Sequence, residues 1–163
     1  MITLSRPDAP LDINSKQQRY DILIRQVQDI VHNEEDLTAN LANTAAVLHH
    51  GMGFSWTGFY HVREESLVLG PFQGPAAISR ISMDQGVCGR AYTSERTLIV
   101  DDVEQFAGHV PVTGEDKSEI VVPAYRNGEI ALLLNVNSKD IRNFTDVDKR
   151  NLEQMMGLIE EIL

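Results

Sequence analysis

The sequence predicts an α+β domain in which helices near both ends of the chain flank an antiparallel sheet. Three observations support this fold class. Apolar residues recur at helical spacing near both ends of the chain. Between them, apolar and polar residues alternate with the period of two that is typical of half-buried strands. Two such segments are joined by Asn127-Gly128, a dipeptide that suits the type I′ turn of a β-hairpin.

The N-terminal third is predicted to be helical after a short irregular arm. Residues 1–14 contain two prolines and show no periodicity, so they are expected to form the arm. The apolar spacing predicts helices over residues 15–32 and 35–50. Gly51 and Gly53 are expected to end the second helix, because glycine commonly follows the last helical turn.

The central segments predict strands on which two aromatic side chains face the same way. The strands are expected at residues 54–62, 66–71, 77–81 and 97–100, with a short helix at 86–94. Because side chains alternate along a strand, Trp56 and Tyr60 share a face with Phe54, and they lie about 13 Å apart at the usual rise. This pair could wall a cavity for an apolar ligand group, and it could equally be plain core.

The C-terminal part is predicted to be a long loop, a hairpin and a helix. Residues 101–117 form an acidic loop of about 17 residues, a length that favours a lid or pocket wall. The hairpin strands are expected at residues 119–126 and 129–137. Thr145 begins the helix, with Asp148 three residues later in a pattern close to a capping box. The apolar stripe of this helix contains Leu152, Met155, Ile159 and Ile162.

Length and charge restrict the class of protein. A chain of 163 residues with 42% hydrophobic residues suffices for one core, so residues 15–163 are expected to be a single domain. The net charge is −10 and the 14 basic residues are scattered, so nucleic acid is not an expected partner. No apolar run approaches the roughly 18 residues of a membrane span. Residues 1–10 lack a secretory signal pattern, so we expect no membrane association and a cytoplasmic location.

Cys88 is the only cysteine, so an internal disulfide is excluded. It lies in Gly86-Val87-Cys88-Gly89, where a helix start could lower the pKa of a redox thiol. The alternative is a small buried hydrophobic side chain. The second interpretation is favoured, because the chain has no other thiol to resolve a sulfenic acid.

The histidines do not suggest a metal site. His49 and His50 are neighbours on a predicted helix and point about 100° apart, so they cannot chelate one ion together. His109, after Gly108 in the long loop, is a candidate pocket residue. No zinc spacing, glycine-rich phosphate loop or nucleophile elbow is present, so no metal or cofactor is expected.

A polar group is predicted on the C-terminal hairpin. Asn135 and Asn137 share a strand face with Leu133, and Glu119 begins the partner strand. Each amide offers a donor and an acceptor, so the two could bind a polar ligand, with the Glu119 carboxylate beside them across the sheet. Capping of a turn, or exposure to water, is the alternative role of the two amides.

Several segments together resemble a known family. They are Trp56-Thr57-Gly58-Phe59-Tyr60, residues 67–75 (LVLGPFQGP), residues 86–89 (GVCG), Gly108-His109 and residues 118–123 (SEIVVP). On these segments the chain resembles the free methionine-(R)-sulfoxide reductases, single-domain members of the GAF fold, over about residues 15–163. The resemblance implies a GAF-type sheet flanked by helices, and a homodimer. The resemblance to cyclic-nucleotide-binding GAF domains is fainter and rests on residues 143–146.

The resemblance also implies changes at the reactive positions. The family has one cysteine in an A-C-x-R-I motif, where this chain has Ile78, and another in H-I-A-C-D, where it has Val112. The family motif L-D-I-D-S, whose aspartates help to hold the substrate, reads Leu134-Asn135-Val136-Asn137-Ser138 here. Aliphatic side chains cannot attack a sulfoxide sulfur, and asparagine keeps hydrogen-bonding capacity without charge. Glu119 and the aromatic pair match family pocket positions and are kept.

These residues predict a non-catalytic GAF-type domain that binds a small, less cationic polar molecule as a sensor or docking module. The predicted ligand-binding residues are Trp56, Tyr60, His109, Glu119, Asn135 and Asn137. One alternative is an active reductase in which Cys88 works with an external thiol. A further alternative is a structural dimer whose cavity is filled.

Overall fold

The computed structural model describes residues 4–163, so the first three residues of the predicted arm lie outside it. Its helices are α1 (Ile13–Asn33), α2 (Leu37–Met52), α3 (Gly86–Ser94) and α4 (Asp146–Glu160). Its strands are β1 (Trp56–Arg63), β2 (Ser66–Gln73), β3 (Arg80–Ser82), β4 (Leu98–Val100), β5 (Ser118–Arg126) and β6 (Glu129–Ser138). The long loop contains one 3₁₀ turn, Val103–Gln105.

The six strands form one sheet in the order β3-β2-β1-β6-β5-β4, and all neighbours are antiparallel. The predicted α+β class is therefore confirmed. Helices α1, α2 and α4 cover one face of the sheet and form the larger core with it. Helix α3 and the long loop cover the other face and build a second, smaller core. No helix in the described part of the chain is long and apolar enough to span a membrane.

The helix ends follow from side-chain caps that refine the predicted boundaries. Helix α1 begins two residues earlier than predicted, because the Asp12 carboxylate caps it by accepting from the Ser15 amide at 2.8 Å. Helix α2 continues through Gly51, contrary to the prediction, and ends at Gly53, whose φ is 75°. Gly51 is needed for packing instead, since a Cβ atom there would lie 2.6 Å from the Leu23 side chain.

Two local signals in the sequence are confirmed. Asn127 and Gly128 have φ angles of 53° and 81°, as a type I′ turn requires at both central positions. Helix α4 begins with a capping box. The Thr145 side chain accepts a hydrogen bond from the backbone of the first helical turn, and the Asp148 side chain accepts one from the Thr145 backbone amide.

Phe54 does not share a face with Trp56, contrary to the prediction. Strand β1 begins only at Trp56, so the alternation of side chains does not extend back to Phe54. The Phe54 side chain lies in the helix-side core, with its ring centroid 5.5 Å from that of Phe144.

A buried ionic group joins the first and last helices. The Lys16 ammonium of α1 lies 2.7 Å from Oδ2 of Asp148 on α4, and both side chains are buried. Tyr20 donates to the other Asp148 oxygen at 2.7 Å, and Lys16 also donates to the Asn143 carbonyl. Every polar atom of the carboxylate therefore has a partner, which is the condition under which buried charges are tolerated.

Candidate functional site

A buried polar cluster lies on the sheet face opposite α1, α2 and α4. It consists of Glu119 on β5 with Asn135 and Asn137 on β6. The hairpin register brings them together, because Glu119 pairs with Asn137 and Val121 with Asn135. All three side chains of this polar cluster are buried. The predicted grouping of the amides with the carboxylate is thus what the structure shows.

The polar cluster is held by a directed chain of hydrogen bonds. Asn137 Nδ2 donates to Asn135 Oδ1 at 2.6 Å, and Asn135 Nδ2 donates to Glu119 Oε1 at 2.8 Å. The direction follows from the carboxylate, which only accepts when ionised, so each amide must present its NH₂ group towards Glu119. The amide oxygen at the far end, Asn137 Oδ1, accepts no hydrogen bond within residues 4–163.

An aromatic wall stands beside the polar cluster. The ring centroids of Trp56 and Tyr60 are 6.2 Å apart, and those of Trp56 and Phe72 are 5.4 Å apart. Trp56 and Tyr60 lie closer together than their spacing along β1, because the indole leans over Gly58. A Cβ atom at Gly58 would meet Trp56 Cη2 at 2.4 Å, so only glycine leaves the space.

Both aromatic side chains also hold the connection between β2 and β3. Trp56 Nε1 donates to the Pro75 carbonyl at 3.0 Å, and the Tyr60 hydroxyl donates to the Ile78 carbonyl at 2.7 Å. These bonds satisfy the polar ends of two buried aromatics and fix the connection over the site. The Ile78 side chain itself points outwards and is 38% exposed.

Cys88 on α3 contacts the polar cluster at Asn135. Its Sγ accepts from Asn135 Nδ2 at 2.9 Å, and the side chain is buried. Burial raises the pKa of the Cys88 thiol far above its usual value, and the nearby Glu119 carboxylate raises it further. The bond from Asn135 opposes this only in part, so the group is a thiol rather than a thiolate near neutral pH.

The long loop, residues 101–117, covers the site, and we call it the lid. It is held at several points. His109 reaches in from the lid, with Nε2 at 3.3 Å from Glu119 Oε2, and its side chain is 16% exposed. Val112 packs into the second core. At the lid's end, the Asp116 carboxylate accepts from Thr113 at 2.8 Å and from Ser55 at 3.3 Å.

The role of Asp116 was not predicted from the sequence. Among neighbouring acidic residues in a loop, nothing in the sequence distinguishes a carboxylate that bonds to Ser55, 61 positions away.

The structure places His49 away from the polar cluster, on α2, where burial lowers its pKa to about 4. No group of three or more His, Cys, Asp or Glu side chains within residues 4–163 is arranged to hold a metal ion.

Comparison with known proteins places this chain in a family. The sequence profile of the GAF domain family matches residues 31–163. The chain belongs to the GAF domain family. GAF domain-containing protein A of Dictyostelium discoideum is 42% identical over 154 residues, which cover 94% of this chain and 98% of that protein. The free methionine-R-sulfoxide reductase of Escherichia coli is 35% identical over 150 residues, covering 91% of each chain.

The solved structures agree with this assignment. This GAF domain superposes on the free methionine-R-sulfoxide reductase of Neisseria meningitidis, determined in complex with its substrate, with a TM-score of 0.90 and 36% identity. The match covers 99% of this chain and 95% of that one. The GAF domain is therefore a close homologue of free methionine-R-sulfoxide reductases. Whether the six predicted residues bind a ligand remains a prediction, although the structure brings them together at one place.

The contact between lid and polar cluster is expected to make the stability of the GAF domain depend on pH. The hydrogen bond to Glu119 raises the pKa of His109; partial burial opposes this, and the carboxylates of Glu119 and Asp116 add to it. Burial raises the pKa of Glu119 more than its bonds to His109 and Asn135 lower it. In both groups the folded state therefore holds its proton to a higher pH than the unfolded state.

We expect the free energy of unfolding to fall as the pH rises above 6.5, the ordinary pKa of histidine. The His109 contribution is complete below that value and is lost as the pH rises through the higher folded pKa. Urea unfolding of the wild type and of His109→Gln at a series of pH values measures this. The difference between the two proteins should shrink as the pH rises; a constant difference would show that His109 is not protonated against Glu119.

Proposed function

We propose that this GAF domain is a non-catalytic module that binds a small polar molecule at the polar cluster, beside the aromatic wall. The observation that carries the proposal is the environment of Cys88, the only thiol of the chain. A sulfur nucleophile must be a thiolate to attack, and this one is buried beside a carboxylate. Its surroundings stabilise the form that does not react.

The same proposal is supported at two positions where the free methionine-(R)-sulfoxide reductases carry cysteines and this chain does not. Ile78 points outwards from the connection between β2 and β3, and Val112 is packed in the second core. Neither side chain can attack a sulfoxide sulfur or accept its oxygen. With one thiol in the chain, a sulfenic acid could not be resolved internally.

The unpartnered amide oxygen of Asn137 supports the ligand-binding part of the proposal. A buried acceptor without a donor costs about 1–3 kcal/mol, and such atoms are rare in folded proteins. A ligand that donates a hydrogen bond to Asn137 Oδ1 would recover this energy. Because amides stand where the family has carboxylates, the ligand is a less cationic molecule than a free amino acid. It enters when the lid moves, since the polar cluster is buried.

Assembly and location complete the proposal. The resemblance to free methionine-(R)-sulfoxide reductases supports a homodimer. The acidic charge of −10 argues against nucleic acid as a partner. A cytoplasmic location is part of the same proposal.

A reductase that uses Cys88 is the second candidate, and one observation favours it: the thiol faces the polar cluster, in contact with Asn135. In that case Cys88 would take the sulfoxide oxygen as a sulfenic acid and release the sulfide. One external thiol would then form a mixed disulfide with loss of water. A second external thiol would release Cys88 and leave as the external disulfide. This candidate predicts turnover that depends entirely on Cys88.

Ligand binding is tested by thermal and urea unfolding against a library of small uncharged or singly charged metabolites. A ligand at 100 times its dissociation constant is expected to add about 2.7 kcal/mol to the free energy of unfolding. The gain should be lost in Asn137→Ala and kept in Asn14→Ala, an exposed asparagine on α1 that serves as the matched control. If no compound stabilises the wild type in a saturable way, the ligand-binding proposal fails.

A further inference from the structure

A second cleft, separate from the polar cluster, lies on the outer side of the lid at the β4 edge of the sheet. It has a volume of about 700 Å³ and is built from four parts of the chain. These are α3 with the residues that follow it, strand β4, the first half of the lid and the connection between β6 and α4. None of the six predicted ligand-binding residues lines it.

Three arginines line this cleft without a carboxylate partner. The guanidiniums of Arg90, Arg96 and Arg142 are exposed, and none forms an ion pair or side-chain hydrogen bond within residues 4–163. By contrast, the guanidiniums of Arg6 and Arg19 are occupied by backbone carbonyls. Free guanidiniums that converge on one cleft offer forked donors of the geometry that binds carboxylate and phosphate.

Two aspartates also line the cleft and must be weighed against the arginines. The Asp102 carboxylate is engaged locally, because its Oδ1 accepts from the Glu104 amide at 3.0 Å. Asp101 is exposed. Among the lining residues the three guanidiniums outnumber the two carboxylates by one, on a protein whose net charge is −10. This local excess of positive charge is the part of the cleft that would attract an anion.

Apolar and aromatic groups lie beside the arginines. The Arg90 guanidinium carbon lies 5.9 Å from the centroid of the Phe106 ring. Ile141 is 51% exposed, one of the few large apolar side chains left uncovered among residues 4–163. The neighbouring Arg142 has a φ of 56°, a left-handed conformation that is uncommon for arginine, and its amide donates to the Asp101 carbonyl at 2.9 Å. This bond fixes the Arg142 side of the cleft against the start of the lid.

We propose that this cleft binds a small organic anion, a compound whose carboxylate or phosphate groups meet the arginines while its apolar part covers Phe106 and Ile141. The guanidiniums provide charge-assisted hydrogen bonds to the oxyanion. Burial of the apolar part against the two side chains adds affinity that an inorganic anion cannot gain. The cleft shares no residue with the polar cluster, although the first half of the lid lines it. Anion binding here and ligand binding at the polar cluster can therefore fail separately.

Isothermal titration calorimetry on the full chain at constant ionic strength tests this proposal. The probes are phenyl phosphate and phthalate, which separate the two oxyanion sources, and inorganic phosphate, which lacks a ring. We expect saturable binding of at least one ring-bearing anion, and about tenfold or greater weakening in Arg90→Gln and in Arg142→Gln. Arg126→Gln, which alters an exposed arginine at the distant hairpin turn, should change the affinity less than twofold.

Three outcomes would overturn the proposal. One is the absence of saturable binding for both ring-bearing anions. Another is equal weakening by Arg126→Gln, which would indicate general charge attraction. The third is inorganic phosphate binding as tightly as phenyl phosphate, which would remove the apolar part of the argument. Because the altered arginines are exposed, the variants are expected to keep the wild-type melting temperature, which is checked in the same samples.

Discussion

Trp56→Ala is expected to lower the free energy of unfolding by about 3–5 kcal/mol. Trp56 is fully buried, stacks against Tyr60 and against Phe72, and donates to the Pro75 carbonyl. Truncation removes this contact area, leaves a cavity beside the polar cluster and frees the connection between β2 and β3. Urea unfolding followed by circular dichroism is the suitable measurement, because Trp56 is the only tryptophan and its fluorescence is lost with it.

Trp56→Phe provides the matched control for that experiment. Phenylalanine keeps an aromatic ring in the wall. It loses the hydrogen bond to Pro75 but only part of the contact area, so it should lower the free energy of unfolding clearly less than alanine does. A cost below about 1 kcal/mol for Trp56→Ala would mean that the wall is not the packed element described here.

Asp148→Ala is expected to have a comparable effect of about 3–5 kcal/mol, by a different mechanism. The carboxylate accepts from Lys16, from the Tyr20 hydroxyl and from the Thr145 amide. Its removal leaves the Lys16 ammonium buried without a counter-charge and also removes the Asp148 half of the capping box, the bond from the Thr145 amide. Chemical denaturation monitored by circular dichroism measures the loss.

Two comparisons identify the mechanism. The double variant Lys16→Met/Asp148→Leu should recover much of the stability, because replacing both charges by apolar groups leaves no buried ion unpaired. Glu115→Ala breaks an ion pair with Lys139 of the same 2.7 Å length, but both partners are exposed, so a far smaller change is expected. If the two single alanine variants cost the same, burial does not control the energetics of these pairs.

The parts of the fold that could be predicted are those set by neighbouring residues. The Asn127-Gly128 turn and the Thr145 cap act within a few residues, so their sequence patterns were sufficient. Phe54 was placed on the wrong face because the first residue of a strand depends on pairing, which the local alternation does not show. The Lys16–Asp148 pair joins residues 132 positions apart, and a lysine on an amphipathic helix looks like any exposed one.

The same distinction applies to the candidate site. Alternation along each strand was enough to place Asn135 and Asn137 on one face. Their pairing with Glu119 also depends on a register shift between Ala124 and Tyr125, which the turn does not indicate. The distance between Trp56 and Tyr60 was predicted from backbone rise, whereas the observed 6.2 Å depends on the indole leaning over Gly58. The bond that Asn135 donates to Cys88 joins β6 to α3, so only the tertiary structure shows it.

We expect that the chain's only thiol does not reduce a sulfoxide. The rate of free methionine-(R)-sulfoxide reduction by the wild type and by Cys88→Ser, with thioredoxin or glutathione as the external thiol, tests this. The proposal predicts that both proteins show only the background rate of the thiol alone. A wild-type rate above that background, abolished by Cys88→Ser, would contradict it and identify the GAF domain as a reductase.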